Sequence, residues 1–344
     1  MKVVIPGGTG QVGGVLARAL RAKGHDVVIL SRGGGGGEAR VVPWDGRTVG
    51  AWADEVDGAD VVINLAGRSV NCRYTPENLR QMMDSRVEST RAVGQAIARA
   101  KRPPRLWLQM STATLYAHRF DAPNDEATGL IGGEEPDAPA YWRQSIDIAK
   151  AWERTLQEVE TPHTRKVALR TAMVMSADPG GIFDVLLRLV RFRLGGAAGG
   201  GRQFVSWIHE EDFVRAVLFL VEREDLSGAF NLAAPGPLPQ RDFMKALRDA
   251  AGVGLGLPAA KWMLEVGALF MRTDTELLLK SRRVVPGRLL EAGFTFQQPD
   301  WPEAAGELVA RWRARRPPTG AGSGAPASGS APTGAGTPPL PRTR

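Results

Sequence analysis

Three glycines near the N-terminus, Gly7, Gly10 and Gly13, are spaced as G-x-x-G-x-x-G. They follow the apolar run Lys2–Pro6 and lead into the amphipathic stretch Gln11–Lys23, a strand–turn–helix setting in which such a pattern is informative. There, the glycines permit a tight turn, approach of a pyrophosphate to the backbone, and close helix–strand packing. Free N–H groups at the helix N-terminus attract phosphate. The motif predicts a dinucleotide site, the alternative being a flexible turn; the predicted contacts are Gly7, Thr9, Gly10, Gln11, Val12 and Gly13.

The residues that select the cofactor follow the second predicted strand, which ends Leu30-Ser31-Arg32. No acidic residue stands there to bind the ribose hydroxyls of NAD. An arginine side chain matches a 2′-phosphate through charge-assisted hydrogen bonds. Ser31 and Arg32 therefore predict NADP(H), with NAD(H) as the alternative cofactor and a solvated loop charge as the alternative role of Arg32.

Small residues end the fourth predicted strand, in the sequence Asn64-Leu65-Ala66-Gly67. They would let the adenine–ribose half of a dinucleotide lie close to the sheet edge. Leu65, Ala66 and Gly67 are accordingly predicted cofactor contacts, and the alternative is a plain exit from strand to loop.

Strands and helices alternate over the first half of the chain. The predicted strands are Lys2–Pro6, His25–Ser31, Arg40–Pro43, Ala59–Leu65, Arg105–Ser111 and Lys166–Met173, and the helices are Gln11–Lys23, Thr75–Lys101 and Gln144–Val159. These strands are apolar without alternation, which is typical of a parallel sheet buried on both faces. The fold class predicted is α/β, a doubly wound parallel sheet of Rossmann type.

The remainder, about residues 178–316, predicts a smaller, mainly helical C-terminal substrate lobe. Its predicted helices are Phe183–Arg193, Glu210–Glu222, Gln240–Ala251 and Lys261–Phe270, with a short strand at Ala229–Leu232. We divide the chain into a Rossmann domain (1–240), a helical C-terminal lobe (241–316) and a tail (317–344). The tail is rich in Pro, Gly, Ala, Thr and Ser, so it cannot bury enough apolar surface to offset its ordering entropy and is predicted to be disordered.

Composition narrows the function classes. The chain has 344 residues, 43% of them hydrophobic, and one cysteine, Cys72, which excludes an intramolecular disulfide and fits a reducing compartment. It shows neither a signal-peptide apolar region nor a run of about 20 apolar residues. The net charge of +7 comes from scattered arginines without a nucleic-acid-binding motif. The expectation is a cytoplasmic protein with a small-molecule substrate and neither a nucleic-acid nor a membrane partner.

Several motifs together resemble the extended short-chain dehydrogenases/reductases of the NAD(P)-dependent epimerase/dehydratase type: Gly7–Gly13, Asn64–Gly67, Ser111–Tyr116 and Trp207–Asp212. The chain is more closely similar to the bacterial "epimerase family protein" group, which carries a C-terminal domain of unknown function. That likeness rests on Ser85-Arg86-Val87 with Thr90, Gly199–Gln203, Val285-Pro286 and Arg288–Phe294. It covers about residues 1–312. It also implies a homodimer, because the two long helices, here Thr75–Lys101 and Gln144–Val159, form a dimer interface in many relatives.

The resemblance implies acid–base chemistry by a tyrosine, a lysine four residues later and a Ser or Thr hydroxyl. The hydroxyl position is matched by Thr112, with Ser111 beside it. No tyrosine of the chain has a lysine at that spacing. By the register of Trp152-Glu153, the usual tyrosine falls near Gln144 or Ser145 and the usual lysine near Ile148 or Ala149.

Three residues are candidate substitutes for the missing pair. Tyr116 follows the fifth strand and could face the nicotinamide pocket. Lys150 lies just past the expected lysine, and His118 is of a type that titrates near neutrality. The alternatives are packing for Tyr116, a surface charge for Lys150 and a solvated loop position for His118.

Further candidates lie where the second lobe should meet the sheet edge. Arg170 could bind an anionic or carbonyl group, or form an ion pair with a helix acid. Gln203 follows the glycine-rich loop Gly195–Gly201, a candidate flap or a plain linker. Trp207 is a predicted substrate contact, while His209 is expected to be structural. No Cys/His cluster has metal-ligand spacing, so no metal is predicted.

Two functions follow from these patterns. One is an NADP(H)-dependent oxidoreductase or epimerase-like enzyme for a small polar carbonyl or sugar-like substrate, with Thr112 and Ser111 polarising the substrate oxygen. The other is a non-catalytic NADP(H)-binding sensor or assembly protein, which the absence of the tyrosine–lysine pair favours.

Overall fold

A computed structural model describes residues 1–34, 37–136, 138–259 and 276–315. A seven-stranded parallel sheet has the strand order β10-β6-β5-β4-β1-β2-β3. The strands are β1 (Lys2–Pro6), β2 (Asp26–Ser31), β3 (Arg40–Pro43), β4 (Val61–Asn64), β5 (Leu106–Thr112), β6 (Arg165–Thr171), β7 (Met173–Met175), β8 (Phe204–Val205), β9 (Trp207–His209), β10 (Gly228–Leu232) and β11 (Leu238–Pro239). β7 pairs with β9, and β8 with β11.

Helices cover both faces of this sheet. They are α1 (Gln11–Ala22), α2 (Pro76–Arg99), α3 (Arg143–Glu158), α4 (Ile182–Arg191), α5 (Glu210–Glu222), α6 (Gln240–Ala251), α7 (Glu276–Leu279), α8 (Gly287–Glu291) and α9 (Trp301–Ala314). Successive side chains of a strand point to opposite faces. Val3 and Ile5 therefore pack with α1 and α5, whereas Val4 packs with α2 and α3. The predicted doubly wound α/β fold is confirmed.

One predicted strand is wrong in its extent. The run Lys166–Met173 is divided into β6 and β7, with Ala172 between them. The Ala172 amide donates to the carbonyl of Leu232, and the chain then leaves the large sheet to pair with β9. A single continuous run of strand-forming residues does not reveal this change of partner. The predicted helix Lys261–Phe270 and the tail 317–344 lie outside the described residues.

The C-terminal region packs through aromatic rings. Trp301 stacks on Phe243 with ring centroids 4.0 Å apart and contacts Trp207 edge-on at 4.9 Å. Its indole N–H donates to the Phe243 carbonyl at 2.8 Å. Helix α9 was not predicted, although its buried residues have helical spacing: Trp301, Ala304, Ala305, Leu308, Val309 and Trp312. None of the helices within the described ranges is long and apolar enough to cross a membrane.

Candidate functional site

A cleft of about 380 Å³ opens at the carboxyl edge of the sheet, where the strand order reverses between β1 and β4. Such a reversal is the usual ligand crevice of an open α/β sheet. The glycine turn after β1 and the ends of β2, β3 and β4 line it, together with α2. Its lining residues include Gly7, Thr9, Gly10, Ser31, Arg32, Trp44, Asp45, Arg47, Ala66, Gly67, Ser85 and Ser89.

The three glycines of the motif have different constraints. Gly7 has φ +75°, and a Cβ there would lie 2.7 Å from Cα of Ala66. A Cβ on Gly13 would lie 2.4 Å from the carbonyl oxygen of Gly8. A Cβ on Gly10 would meet its nearest neighbour only at 3.9 Å. Packing within the protein thus requires glycine at positions 7 and 13, whereas position 10 is open toward the cleft.

The start of α1 presents free donors to the cleft. Gly10 is the N-cap residue and no side chain caps this end, so the first amides of the helix remain available to an anion. The side-chain amide nitrogen of Gln11 is buried and has no hydrogen-bond partner among the described residues. Val12 packs against the core cluster, so its side chain serves the helix rather than the cleft.

The turn after β2 is ordered around Ser31. The hydroxyls of Ser31 and Thr9 lie 3.2 Å apart, and the Gly33 amide donates to the Ser31 hydroxyl at 3.3 Å. Arg32 is exposed at the cleft wall. Arg47, which the sequence analysis missed, lines the same wall and pairs with Glu88 at 3.0 Å. The turn Asp45-Gly46-Arg47 begins two residues after the end of β3 and could have indicated this position, because β2 and β3 are parallel neighbours whose ends lie at the same edge of the sheet.

The exit of β4 is held by buried hydrogen bonds. The Asn64 side chain donates to Gln109 at 3.0 Å and accepts from the Ala66 amide at 3.1 Å. Ala66 and Gly67 line the cleft, whereas Leu65 packs against the core. Arg86 lies against Gly67, and burial lowers its pKa to about 10.

A second polar group lies at the end of β5. Thr112 is half-buried, and its Oγ1 accepts from the Thr114 amide at 3.1 Å, which leaves the hydroxyl proton available to donate elsewhere. Ser111 is buried and donates to Glu153 at 2.6 Å. Of the two candidate hydroxyls, Thr112 is thus the one with solvent access.

Tyr116 and Arg170 occupy a buried network. The Tyr116 side chain is 1% exposed, and its hydroxyl donates to Asn231 and accepts from Arg170, both at 2.9 Å. Burial raises the pKa of Tyr116, although Arg170 opposes that rise. Arg170 forms two further hydrogen bonds to Glu153, at 2.9 and 2.8 Å. This is the ion pair with a helix acid that the sequence left open, and the geometry favours packing roles for both residues.

The remaining candidates lie apart from the cleft. Lys150 is half-buried near Gly133. The His118 ring accepts from the Ser281 amide at 2.7 Å. Gln203 is buried and donates to two backbone carbonyls at 2.9 Å, and Trp207 is fully buried in the C-terminal core. These contacts join segments of the chain, so the structure brings none of the four into the cofactor cleft.

His209 holds a structural position. It is fully buried at the N-cap of α5, where its ring accepts from the Glu211 amide at 3.2 Å, and its other ring nitrogen lies 3.0 Å from Glu307. Within the described part of the chain, no group of three or more His, Cys, Asp or Glu side chains is placed to hold a metal ion.

A polar group contributed by the C-terminal region was not predicted from the sequence. The Ser145 hydroxyl donates to Glu276 at 2.6 Å, and the Lys280 ammonium donates to the Thr114 carbonyl at 2.8 Å. Ser145 is one of the two positions that the register assigned to the usual tyrosine. The four-residue spacing of Glu276 and Lys280 was a weak signal, because that spacing also occurs in ordinary surface helices.

Known proteins resemble the chain over most of its length. Residues 3–233 match the model of the NAD dependent epimerase/dehydratase family, and residues 259–308 match a domain of unknown function, DUF1731. The epimerase family protein SDR39U1 of Bos taurus is 29% identical over 90% of this chain and 100% of its own. YfhF of Bacillus subtilis is 29% identical over 90% of this chain and 98% of its own.

A solved structure agrees with this assignment. Human SDR39U1 (isoform 2) with NADPH superposes with a TM-score of 0.78 at 28% identity, over 90% of this chain and 99% of that one. The UDP-N-acetylglucosamine 4-epimerase of Bacillus cereus shares the fold with a TM-score of 0.70 at 17% identity. The resemblance inferred from the motifs is confirmed, and the chain belongs to the NAD dependent epimerase/dehydratase family.

Proposed function

We propose that this protein is an NADP(H)-dependent oxidoreductase or epimerase-like enzyme for a small polar carbonyl or sugar-like substrate. The observation that carries the proposal is the cleft at the strand-order reversal, with uncapped helix amides at one end and two arginines, Arg32 and Arg47, at the other. A similar protein, human SDR39U1, was solved with NADPH. NAD(H) remains the alternative cofactor.

The residues present fit a dinucleotide. The open position at Gly10 and the amides that follow it would hold the pyrophosphate. The side-chain amide nitrogen of Gln11, buried and unpartnered, lies beside Gly181 and not in the lining of the cleft, so Gln11 would serve the pyrophosphate through its backbone amide. Arg32, with Arg47 beside it, would hold a 2′-phosphate, and Ala66 and Gly67 leave space for the ribose half.

The chemistry would take place beyond the end of β5. A bound nicotinamide supplies or accepts a hydride at C4. Thr112 would orient the substrate by donating its free hydroxyl proton to the carbonyl oxygen. Ser111, whose proton goes to Glu153, would support the strand end instead.

A non-catalytic NADP(H)-binding sensor or assembly protein is the second candidate. Its support is the burial of Tyr116, whose hydroxyl is engaged on both sides and whose pKa is raised. A tyrosine in that state is a poor proton donor to substrate. We also retain as proposals a cytoplasmic homodimer formed through α2 and α3, and the division at residue 240.

Fluorescence titration of the purified protein with NADPH and NADH, followed by an NADPH-oxidation screen over aldehydes, ketones and nucleotide sugars, tests the proposal. Tight NADPH binding with turnover of a carbonyl supports the enzyme. Tight binding without any turnover favours the sensor, and absence of binding by either dinucleotide refutes both.

A further inference from the structure

A buried ion pair outside the cofactor cleft calls for an explanation. Glu276 and Lys280 lie one helical turn apart, with Nζ 3.6 Å from Oε1, and both side chains are 0% exposed. A pair buried this completely gives weak net stabilisation, because the desolvation of two charges offsets their attraction. Stability alone therefore does not account for its presence.

The pair contacts the loop that carries Thr112. The Lys280 ammonium donates to the Thr114 carbonyl at 2.8 Å, while the Thr114 amide donates to the Thr112 hydroxyl oxygen at 3.1 Å. The guanidinium of Arg282 donates to the Thr114 hydroxyl at 3.2 Å. The C-terminal region thus reaches the same carboxyl edge of the sheet on which the orienting hydroxyl lies.

Only one member of the group is accessible. Ser145, at the start of α3, is half-buried, and its hydroxyl lies within hydrogen-bond distance of two acceptors, Oε1 of Glu276 at 2.6 Å and the Trp142 carbonyl at 3.0 Å. Glu276 and Lys280 lie behind it, out of contact with solvent. A cavity of about 320 Å³, lined in part by Glu135 and Trp142, lies against Lys280. The arrangement runs from a cavity, through an ammonium and a carboxylate, to a hydroxyl on α3, the helix that packs against Leu115 in the loop after Thr112.

The charges around Lys280 suit proton exchange near neutral pH. Burial lowers the pKa of Lys280 to about 8, with Arg282 lowering it further and with Glu276 and Glu135 opposing the change. A lysine whose pKa lies near the working pH serves well as a general acid or base.

We propose that Ser145, Glu276 and Lys280 form the proton-transfer group of this enzyme, replacing the missing tyrosine–lysine pair; the inference rests on the function proposed above. In reduction, hydride from the reduced nicotinamide adds to the carbonyl carbon, the C=O π bond breaks, and the oxygen takes the Ser145 hydroxyl proton. The Glu276 carboxylate takes a proton from the Lys280 ammonium and passes it to the Ser145 oxygen, which leaves Glu276 as a carboxylate and Lys280 as a neutral amine. Neutral Lys280 regains a proton when solvent enters the cavity that Lys280 lines.

Single substitutions test the role of each residue in this proton transfer. Ser145→Ala and Glu276→Gln should each lower kcat for 4-nitrobenzaldehyde, or for the best carbonyl of the screen, by about 10²- to 10⁴-fold. The Kd for NADPH should change by no more than about twofold, because neither residue lines the part of the cleft assigned to the pyrophosphate and the 2′-phosphate. The matched control is Lys245→Met, which breaks an exposed lysine–carboxylate pair of the same spacing on α6 and should leave kcat unchanged.

The pH profile separates proton transfer from a structural role. Reduction needs the ammonium form of Lys280, so wild-type kcat should fall as pH rises through about 8. In Lys280→Met this decrease of kcat with rising pH should be absent. Circular dichroism checks that each variant is folded. The inference is overturned if kcat is unchanged in both Ser145→Ala and Glu276→Gln, or if kcat of Lys280→Met still falls with rising pH as in the wild type.

A second measurement needs no substrate. In protein labelled with ¹⁵N-lysine, the Lys280 signal, assigned through Lys280→Met, is titrated with and without NADP⁺. A positively charged nicotinamide nearby should lower the pKa of Lys280. If NADP⁺ shifts the pKa of Lys280 but no carbonyl is turned over, the proposed enzyme is refuted, while the location of Ser145, Glu276 and Lys280 near the nicotinamide is supported. Turnover without a shift would uphold the enzyme and overturn the inference.

Discussion

Replacing single glycines of the N-terminal motif with alanine should separate folding from cofactor binding. At Gly7 an added Cβ would lie 2.7 Å from a backbone atom of Ala66, and φ is +75°. Left-handed backbone costs an L-residue roughly 1–2 kcal/mol, and overpacking against backbone adds roughly 1–3 kcal/mol. Gly7→Ala should therefore lower the free energy of unfolding by about 2–5 kcal/mol.

Gly10→Ala should act in the opposite way. Its backbone has φ −73°, which alanine adopts readily, and the nearest atom to the added Cβ is 3.9 Å away. The free energy of unfolding should change by about 1 kcal/mol or less, the cost of a poorer N-cap residue. The methyl group would stand where the pyrophosphate approaches. Loss of one charge-assisted hydrogen bond, worth about 1.5–3 kcal/mol, weakens NADPH binding roughly 10- to 150-fold.

The assay pairs urea unfolding with fluorescence titration of NADPH on the same protein preparations. Gly254→Ala is the matched control, since its Cβ would meet nothing within 4 Å and both measurements should stay at wild-type values. Wild-type NADPH affinity in Gly10→Ala would refute the assignment of the pyrophosphate site. Wild-type stability in Gly7→Ala would refute the packing argument.

Four further substitutions have separate expected outcomes. Arg32→Asp should weaken NADPH binding at least tenfold more than NADH binding in paired titrations, and equal losses would remove the 2′-phosphate assignment. Thr112→Val should abolish carbonyl turnover while leaving the NADPH Kd unchanged, so surviving turnover would exclude the orienting role. Tyr116→Phe should lower the free energy of unfolding in urea by about 1–3 kcal/mol, because it leaves the buried side chains of Asn231 and Arg170 without a hydrogen-bond partner. Turnover should persist, and loss of turnover in the folded variant would indicate a catalytic role for Tyr116. Hydrogen bonds from Arg40 lower the pKa of Glu55 from about 4.5 to about 2. The stability that Glu55 contributes is therefore present above its unfolded pKa of about 4.5 and is lost as pH falls toward 2. Glu55→Gln should remove this loss from a plot of unfolding free energy against pH, and an unchanged plot would contradict the pairing.

Local features of the fold could be predicted because they are encoded in short stretches. The motif from Gly7 to Gly13 fixes a strand, a turn and a helix start within a few residues, so its setting follows from neighbouring sequence. Thr75 and Pro76 predict the start of α2 in the same way, and the Thr75 hydroxyl accepts from the Asn78 amide at 3.2 Å. Such signals need no knowledge of distant partners.

The missed residues depend on contacts between distant parts of the chain. Arg47 joins the cleft only because β3 pairs with β2. Glu276 meets Ser145 across 131 positions of sequence. Tyr116 lies only four residues beyond Thr112, yet its hydroxyl is directed into the core, where it bonds to Asn231 and Arg170. Sequence adjacency shows which residues are near the site but not where their side chains point.

The two polar networks at the end of β5 differ in a way that bears on function. One network is centred on Arg170 and includes Ser111, Glu153 and Tyr116. Burial by itself lowers the pKa of Arg170, but the hydrogen bonds to Glu153 raise it, so this arginine stays charged at any working pH. It can fix the strand ends but cannot pass a proton through them. The network from Lys280 to Ser145 contains a lysine of lowered pKa and ends at a hydroxyl with solvent access. The C-terminal region therefore supplies what the Rossmann sheet lacks, which is why the proposed active site requires both.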